Sequence, residues 1–418
     1  MLDLTTEERA IAAGRDGPGA AMAMRIVADS ARLLGADRLI PVASAHIDGA
    51  LYHGDSGTLF AEKLLEGGAK VAVRATLNVG ALDLTGSCRV RLEGSRRDMA
   101  RRMMQAYRGL GCEPSWTCAP YQAGHRPALA TDVAWGESNA VVFCNSVLGA
   151  RTNRYGDFLD IACAIAGRAP FVGLHRPENR RATVVFDVSG LSPGFLASEI
   201  AWPVLGSLFG REVGTAIGVV TGIAGHPGED ALKAFGAAAA SSGAVGLFHV
   251  AGVTPEAPDL DAATGGLPPE TTIRVTPAMA ADAQRRLSTA GPAERIDAVA
   301  IGSPHLSADE LEALERLVAG RRLAVPLYAC TGRHALAAFD RDGRRAALER
   351  AGVTIVADTC VVVTPIMADR PGGVLMTNSG KFAHYAPGNT GYAVLYASLA
   401  DCIESAVAGR PAITEAAR

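Results

Sequence analysis

An open α/β fold built on parallel sheets is the architecture this sequence predicts, and three observations carry the prediction. Short apolar runs of the strand type alternate with helical segments along all 418 residues. Hydrophobic residues make up 49% of the chain but aromatics only 5%, and Gly occurs 47 times, a composition of small, closely packed side chains. No motif recurs with a period of about 20–50 residues, which sets aside solenoids and propellers. The length exceeds one ordinary core, so the chain is expected to divide into subdomains.

Thr5 or Thr6 followed by Glu8 marks a capped first helix, and a second is predicted over 19–34. Residues 38–44 read as a strand, 59–66 as a helix and 70–77 as a strand, while 96–108 form an amphipathic helix with basic residues outward. Ala140-Val141-Val142-Phe143 reads as a buried strand, followed by a helix over 156–166. Further strands are expected at 183–187, 215–220 and 245–250. Residues 253–269, rich in Pro, Asp and Gly, read as a linker between an N-terminal α/β portion (1–252) and a C-terminal one (270–418). Beyond it, strands at 273–275 and 298–301 flank a helix over 278–290, and Ser307 and Glu310 have capping-box spacing. Strands at 323–328, 354–357 and 374–376 follow, and a helix over 391–407 closes the chain.

The formal net charge of −3 lacks the basic footprint of a nucleic-acid binder. Apolar stretches are broken well short of the ~20 residues a membrane span needs. The start, Met1-Leu2-Asp3-Leu4-Thr5-Thr6-Glu7-Glu8, is acidic and lacks the order of an export signal, so a cytoplasmic protein with reduced cysteines is expected.

The densest chemistry lies in residues 145–154, where Asn145, Ser146, Arg151, Thr152, Asn153 and Arg154 surround Gly149. Placed after a strand, such a segment lies where open sheets bind ligands, and two guanidiniums favour a carboxylate or phosphate. Three other loops set polar side chains at strand ends: Gly302-Ser303-Pro304-His305, Asp358-Thr359-Cys360 and Met376-Thr377-Asn378-Ser379-Gly380-Lys381. Cys360 and Cys118 are loop thiols able to bind iron or zinc, although the C-x2–4-C pairs of a structural zinc site are missing. Cys163 and Cys402 lie within apolar helical segments and read as core; Cys88, Cys112 and Cys330 stay undecided. Two motifs are decoys. Gly54-Asp55-Ser56-Gly57 copies a protease nucleophile signature but leads straight into a helix, and Thr221-Gly222-Ile223-Ala224-Gly225-His226-Pro227 matches no phosphate-loop pattern and reads as a turn.

Together these segments resemble the large subunit of the aconitase X family, a branch of the aconitase superfamily. The resemblance rests on residues 40–46, Thr117-Cys118-Ala119-Pro120-Tyr121, Glu137-Ser138-Asn139-Ala140, residues 145–154, Gly302 to His305, Asp358 to Cys360 and residues 377–387, in the family's order over nearly the whole chain. It implies a multi-subdomain α/β fold with a central cleft, and a dehydratase whose iron or iron–sulfur centre acts as Lewis acid. Its members divide into cis-3-hydroxy-L-proline dehydratases, which yield Δ1-pyrroline-2-carboxylate, and archaeal mevalonate 5-phosphate dehydratases. The family's ligand positions map onto Cys118, Ser303 and Cys360. Serine at 303 departs from the thiolate pattern, leaving open a 2Fe-2S or 4Fe-4S cluster, a mononuclear iron, or recruitment of Cys144, and it resembles the hydroxyproline branch.

The chemistry agrees with that branch. In the cis isomer the hydroxyl and carboxylate share one face of the ring, and the Cα hydrogen lies on the other, which permits anti elimination. Arg151 and Arg154 would hold the carboxylate, with Ser44, Asn139, Asn145, Ser146, Thr152, Asn153 and Ser379 around it and Lys381 as a further anion contact. His46 and His305 are the candidates for protonating the leaving hydroxide. The family's proton-abstracting Ser belongs to a small swivelling domain, expected here as a separate subunit of a heterodimer. Mevalonate 5-phosphate would require a second anion pocket, for which His175-Arg176 and Asn179-Arg180 are candidates. A metal-free binding subunit is the third reading, supported by Ser303 alone.

Overall fold

The computed structural model describes residues 2–341 and 343–414, in two compact units. The first runs up to Leu82, resumes over Leu92–Arg181 and takes in Thr254–Glu256; the second comprises Asp83–Arg91, Ala182–Val253 and Ala257 onward.

In the first unit, β1 (Leu39–Pro41) pairs antiparallel with β5 (Arg168–Pro170). Between them in sequence, β2 (Ser44–Ile47), β3 (Arg74–Leu77) and β4 (Ala134–Trp135) form a parallel sheet of order β3-β2-β4. The first helix, Thr6–Ala12, begins with the anticipated capping box between Thr5 and Glu8. The next, Pro18–Leu33, buries Met24, Val27, Ala28 and Ala31 at helical spacing. The decoy Ser56 lies in the first turn of the helix Asp55–Glu66.

The second unit holds two parallel sheets. One has the order β8-β7-β6-β9, from β6 (Val184–Asp187), β7 (Gly218–Thr221), β8 (Phe248–Val250) and β9 (Thr271–Arg274). The other, β12-β11-β10-β13-β14, is formed by β10 (Ala298–Leu306), β11 (Leu327–Thr331), β12 (Val353–Ala357), β13 (Val374–Thr377) and β14 (Ala393–Tyr396). Val299, Ile301, Leu314, Phe339, Ile355, Met376 and Ile403 belong to one core around this sheet. The α/β class with mainly parallel sheets is the one the sequence predicts. Ser307 and Glu310 cap the helix Ala308–Val318 as their spacing requires.

Four readings differ from the structure. Residues 140–143 are not a strand but lie within the helix Ser138–Ser146, whose N-terminus is capped by Glu137 accepting from the Ala140 amide. Every residue from Asn139 to Ser146 is buried, so no polar face marks the helical period, and a short apolar run looks the same either way. Residues 391–407 are not one helix: β14 comes first, and Ser398 then caps the helix Leu399–Ala408. The stretch 38–44 is divided between β1 and β2, which join different sheets. Residues 253–269 carry the helix Leu260–Thr264, and Thr254–Glu256 packs with the first unit.

Candidate active site

In the first unit, the parallel register sets His46 of β2 beside Thr76 of β3 on one side and Trp135 of β4 on the other. His46 Nδ1 lies 2.8 Å from Thr76 Oγ1, which is also 2.8 Å from Nδ1 of His125. Burial pushes both imidazoles down, His46 well below its ordinary value and His125 to about 4, so both are neutral near pH 7. Ser44 precedes His46 by two residues, hence on the same face, and its Oγ is buried with no partner among the described residues.

The segment after β2 is tied by Asp160, which accepts from the Asp48 amide at 2.6 Å and the Gly49 amide at 3.1 Å. Burial raises this carboxyl to about 7 against the two amide hydrogen bonds that favour its charge. A raised carboxyl contributes stability that is present below its unfolded value near 3.8 and lost as pH rises through about 7. The Tm of the Asp160→Asn variant is therefore expected to fall less than that of the wild type between pH 5 and pH 8. Parallel Tm profiles would remove this assignment.

Asn139 donates to the Cys118 carbonyl at 2.9 Å and to the Tyr121 hydroxyl at 3.1 Å, so it fixes the loop that carries Cys118. Asn145 and Thr152 close the 145–154 segment on itself: the Asn145 amide donates to the Thr152 carbonyl at 2.9 Å and accepts from the Thr152 amide at 3.0 Å. Thr152 Oγ1 accepts from the Trp135 amide at 3.0 Å, and Asn153 spans Val172 and Leu174. Ser146 is buried on the same helix. The side chains of Asn145, Thr152 and Asn153 thus act as scaffold. Arg151 keeps a buried Nε with no partner among the described residues, and Arg154 is exposed. Neither pairs with a carboxylate there, so both guanidiniums stay available to an anion. Cys144 lies in an apolar cluster with Trp135, Val141 and Phe143, and burial raises its thiol, so the structure gives it a core role rather than that of a recruited ligand.

In the second unit, the β10–β11 register shifts between Ile301 and Leu306. Gly302 has φ +88°, and a Cβ there would fall 2.1 Å from the Cys330 carbonyl oxygen, so only Gly permits this approach. The irregularity carries Ser303, whose carbonyl accepts from Ser379 Oγ. That hydroxyl also accepts from the Phe382 amide at 3.0 Å, capping the helix Gly380–Thr390 and placing Lys381 in its first turn. Cys360 follows β12. The thiol of Cys330, the Ser303 hydroxyl, the Val362 amide and the positive charge of Lys381 all pull its thiol below the ordinary value, in opposition to burial. Burial, and then the neighbouring Cys360, raise the Cys330 thiol well above its ordinary value. His305 is buried, with Nε2 3.0 Å from the Thr359 carbonyl, and burial pushes it to about 3. That nitrogen ties β10 to the Cys360 loop, which fits a positioning role better than proton donation.

Ser303, Ser379 and Lys381 line a cavity of about 240 Å³. Its wall includes the buried Lys233, which donates to the His305 carbonyl at 3.3 Å and pairs with Asp230 and Glu310. Two sulfurs and a hydroxyl gathered at Cys360 fit iron by donor chemistry. Among the described residues no three His, Cys, Asp or Glu converge as a complete metal cluster. Thr76, His125 and Lys233 escaped the sequence reading, and Cys330 stayed undecided in it, since each meets its partner only through the tertiary fold.

The residues proposed for a second anion pocket are engaged elsewhere. His175 lies 2.8 Å from Asp132 and 2.6 Å from the Tyr155 hydroxyl, and Asn179 donates to the Gly173 carbonyl. Arg176 lies near Asp37 and Glu178 and over the Phe171 ring. Arg180 is forked on Glu256 and bonded to four further oxygens.

Models of the aconitase X first, second and third domains match residues 1–178, 182–285 and 296–408. The chain is 44% identical over 407 residues to cis-3-hydroxy-L-proline dehydratase of Pseudomonas aeruginosa, covering 96% of this chain and 70% of that one. It is 38% identical to the Hypocrea jecorina protein of the same name, covering 98% and 69%. It is also 38% identical to the phosphomevalonate dehydratase large subunit of Methanothermobacter thermautotrophicus, covering 94% and 95%. The crystal structure of Thermococcus kodakaraensis aconitase X in its holo form superposes with a TM-score of 0.86 at 34% identity, covering 97% of this chain and all of that one. No helix among the described residues is long and apolar enough to cross a membrane. With domain models along its length and relatives aligned over nearly all of it, the chain belongs to the aconitase X family.

Proposed function

We propose that this chain is the large subunit of a cytoplasmic hydro-lyase that dehydrates cis-3-hydroxy-L-proline to Δ1-pyrroline-2-carboxylate. The observation that carries the reading is the alignment, at 44% identity over 96% of the chain, with a protein named for that dehydration. The mevalonate 5-phosphate reading is less favoured because His175, Asn179 and Arg180 spend their polar atoms on protein partners. A metal-free binding role accounts poorly for the thiols gathered at Cys360.

Cys360 and Ser303, with Cys330 against them in the second unit, would hold iron or an iron–sulfur cluster; Cys118, in the first unit, is a ligand position on the family resemblance alone. When bound, such a centre supplies Lewis-acid stabilisation of the departing hydroxide, worth several kcal/mol. Arg151 and Arg154 bind the substrate carboxylate, and Lys381 holds negative charge at the cavity edge. His46, neutral and buried, gives the proton that turns the departing hydroxide into water. The Cα proton leaves from the opposite face to a Ser on a small swivelling domain, supplied by a partner chain. The archaeal relative's own name, a large subunit, supports such a partner.

The test is anaerobic co-expression with a small-subunit partner, followed by product assay on cis-3-hydroxy-L-proline and mevalonate 5-phosphate. Turnover of the hydroxyproline and not of the phosphate ester is expected. The reverse preference would overturn the assignment.

A further inference from the structure

Two imidazoles in the first unit share one hydroxyl, and this arrangement constrains where their protons sit. Thr76 Oγ1 lies 2.8 Å from Nδ1 of His46 and 2.8 Å from Nδ1 of His125. A hydroxyl has one proton, so it donates to one ring nitrogen and must accept from the other. With both rings neutral, the two therefore hold opposite tautomers. One carries its proton on Nε2; the other carries it on Nδ1 and keeps a bare Nε2 lone pair.

The outer nitrogens are the unusual feature. His125 Nε2 is buried without a hydrogen-bond partner among the described residues, and His46 Nε2 meets only the Thr117 backbone, on rings 3% and 0% exposed. Buried imidazoles held for structure alone normally satisfy both nitrogens. Trp135 packs against both rings, with centroids 5.6 Å and 4.9 Å away, and keeps them from turning out of line. The two ends differ. The His46 end lies near the Thr117 backbone, next to Cys118, whereas His125 feels Arg74 and Glu113, a half-exposed ion pair at the surface.

We propose that His46, Thr76 and His125 form a proton relay that supplies the leaving hydroxide of the dehydration from the His125 side. This rests on the dehydratase reading given above. In the loaded state His46 carries its proton on Nε2, Thr76 donates to His46 Nδ1, and His125 donates from Nδ1 to Thr76. Delivery breaks the His46 Nε2–H bond and forms an O–H bond of water. The Thr76 proton moves to His46 Nδ1, the His125 Nδ1 proton moves to Thr76, and a proton from solvent binds His125 Nε2. Each ring ends neutral with its tautomer exchanged. The relay resets when a proton enters at His46 Nε2 and one leaves from His125 Nε2, a route open to the Cα proton once the base releases it. Over the cycle one proton enters, one leaves, and the substrate loses only water.

The test uses Thr76→Val, which removes the hydroxyl at nearly constant volume, and Thr76→Ser, which retains it, in the complex with the small subunit. General acid–base groups contribute typically 10²–10⁴-fold, so Thr76→Val is expected to lower kcat by about 100-fold with KM little changed. Thr76→Ser is expected to recover most of that loss. The wild type should show a curved proton inventory in mixed H2O and D2O, reduced to a linear one in Thr76→Val. A readout independent of turnover is the ¹⁵N spectrum of histidine-labelled protein, which should give His46 and His125 opposite tautomers. Identical tautomers, or a Thr76→Val enzyme with wild-type kcat and inventory, overturn the relay. Should the wild type fail to dehydrate hydroxyproline, the substrate reading falls, and the ¹⁵N result still decides the relay's geometry. A Thr76→Val protein too unstable to assay moves the kinetic test to His125→Gln, for which the same kcat loss and linear inventory are expected and wild-type values overturn the relay.

Discussion

Replacing Cys360 with Ala is expected to remove most of the iron from anaerobically purified enzyme and to lower kcat/KM by at least about 100-fold, since Lewis-acid stabilisation is worth several kcal/mol and 1.4 kcal/mol is tenfold in rate. Cys360 is singled out because its surroundings favour the thiolate. The neighbouring Cys330 thiol, the Ser303 hydroxyl, the Val362 amide and the charge of Lys381 draw it down, against burial. Metal ligands must be deprotonated, and a thiolate is a far better iron ligand than the hydroxyl at 303. Cys330→Ser is expected to cost less, because its own thiol is raised and its contribution passes through Cys360. Iron per chain and kcat/KM, measured on the same preparations, check both variants. A Cys360→Ala enzyme that kept its iron and its rate would remove this residue from the centre.

Part of this centre could be read before any fold was known, and the boundary has a physical cause. Local signals survived. The capping pairs Thr5 with Glu8 and Ser307 with Glu310 act within one turn, and buried parallel strands such as β6, β12 and β13 are apolar runs that name themselves. The helix Ser138–Ser146 failed because burial on all sides erased its period. Loop motifs drew attention to Cys118, Cys360 and the pair Arg151 and Arg154, and the family resemblance added Ser303. Residues whose meaning depends on distant partners stayed hidden. Thr76 lies 30 residues from His46 and 49 from His125, and Asp160 acts on amides 111 and 112 residues away. Asn145, Thr152 and Asn153 looked like ligand contacts because side-chain amides and hydroxyls serve ligand and backbone equally well. Only the geometry distinguishes the two uses.

The Arg180→Leu variant is expected to lose about 3 kcal/mol of stability, at the low end of the 3–5 kcal/mol typical of breaking a buried ion pair. The low end applies because the Glu256 side chain keeps 20% of its exposure and can regain some hydration. Arg180 itself is 4% exposed and fully committed: Nε and Nη2 fork onto Glu256, Nη1 reaches Asn145 Oδ1 and the Leu174 carbonyl, and Nη2 reaches the carbonyls of Asn145 and Ala150. Leucine would fill part of the volume and leave these acceptors without their donor, a loss that falls on backbone oxygens as well as on a carboxylate. Arg180→Lys should be intermediate, since an ammonium can keep the charge pair but cannot reproduce the planar fork. Because Asn145 and Ala150 flank the turn that presents Arg151 and Arg154, activity should fall together with stability, chiefly as a raised KM if those guanidiniums hold the substrate carboxylate. Thermal and urea unfolding with steady-state kinetics on both variants would check this. A stable Arg180→Leu protein with unchanged KM would show that the turn holds its shape without the guanidinium, and that its rigidity comes from the Asn145–Thr152 pair alone.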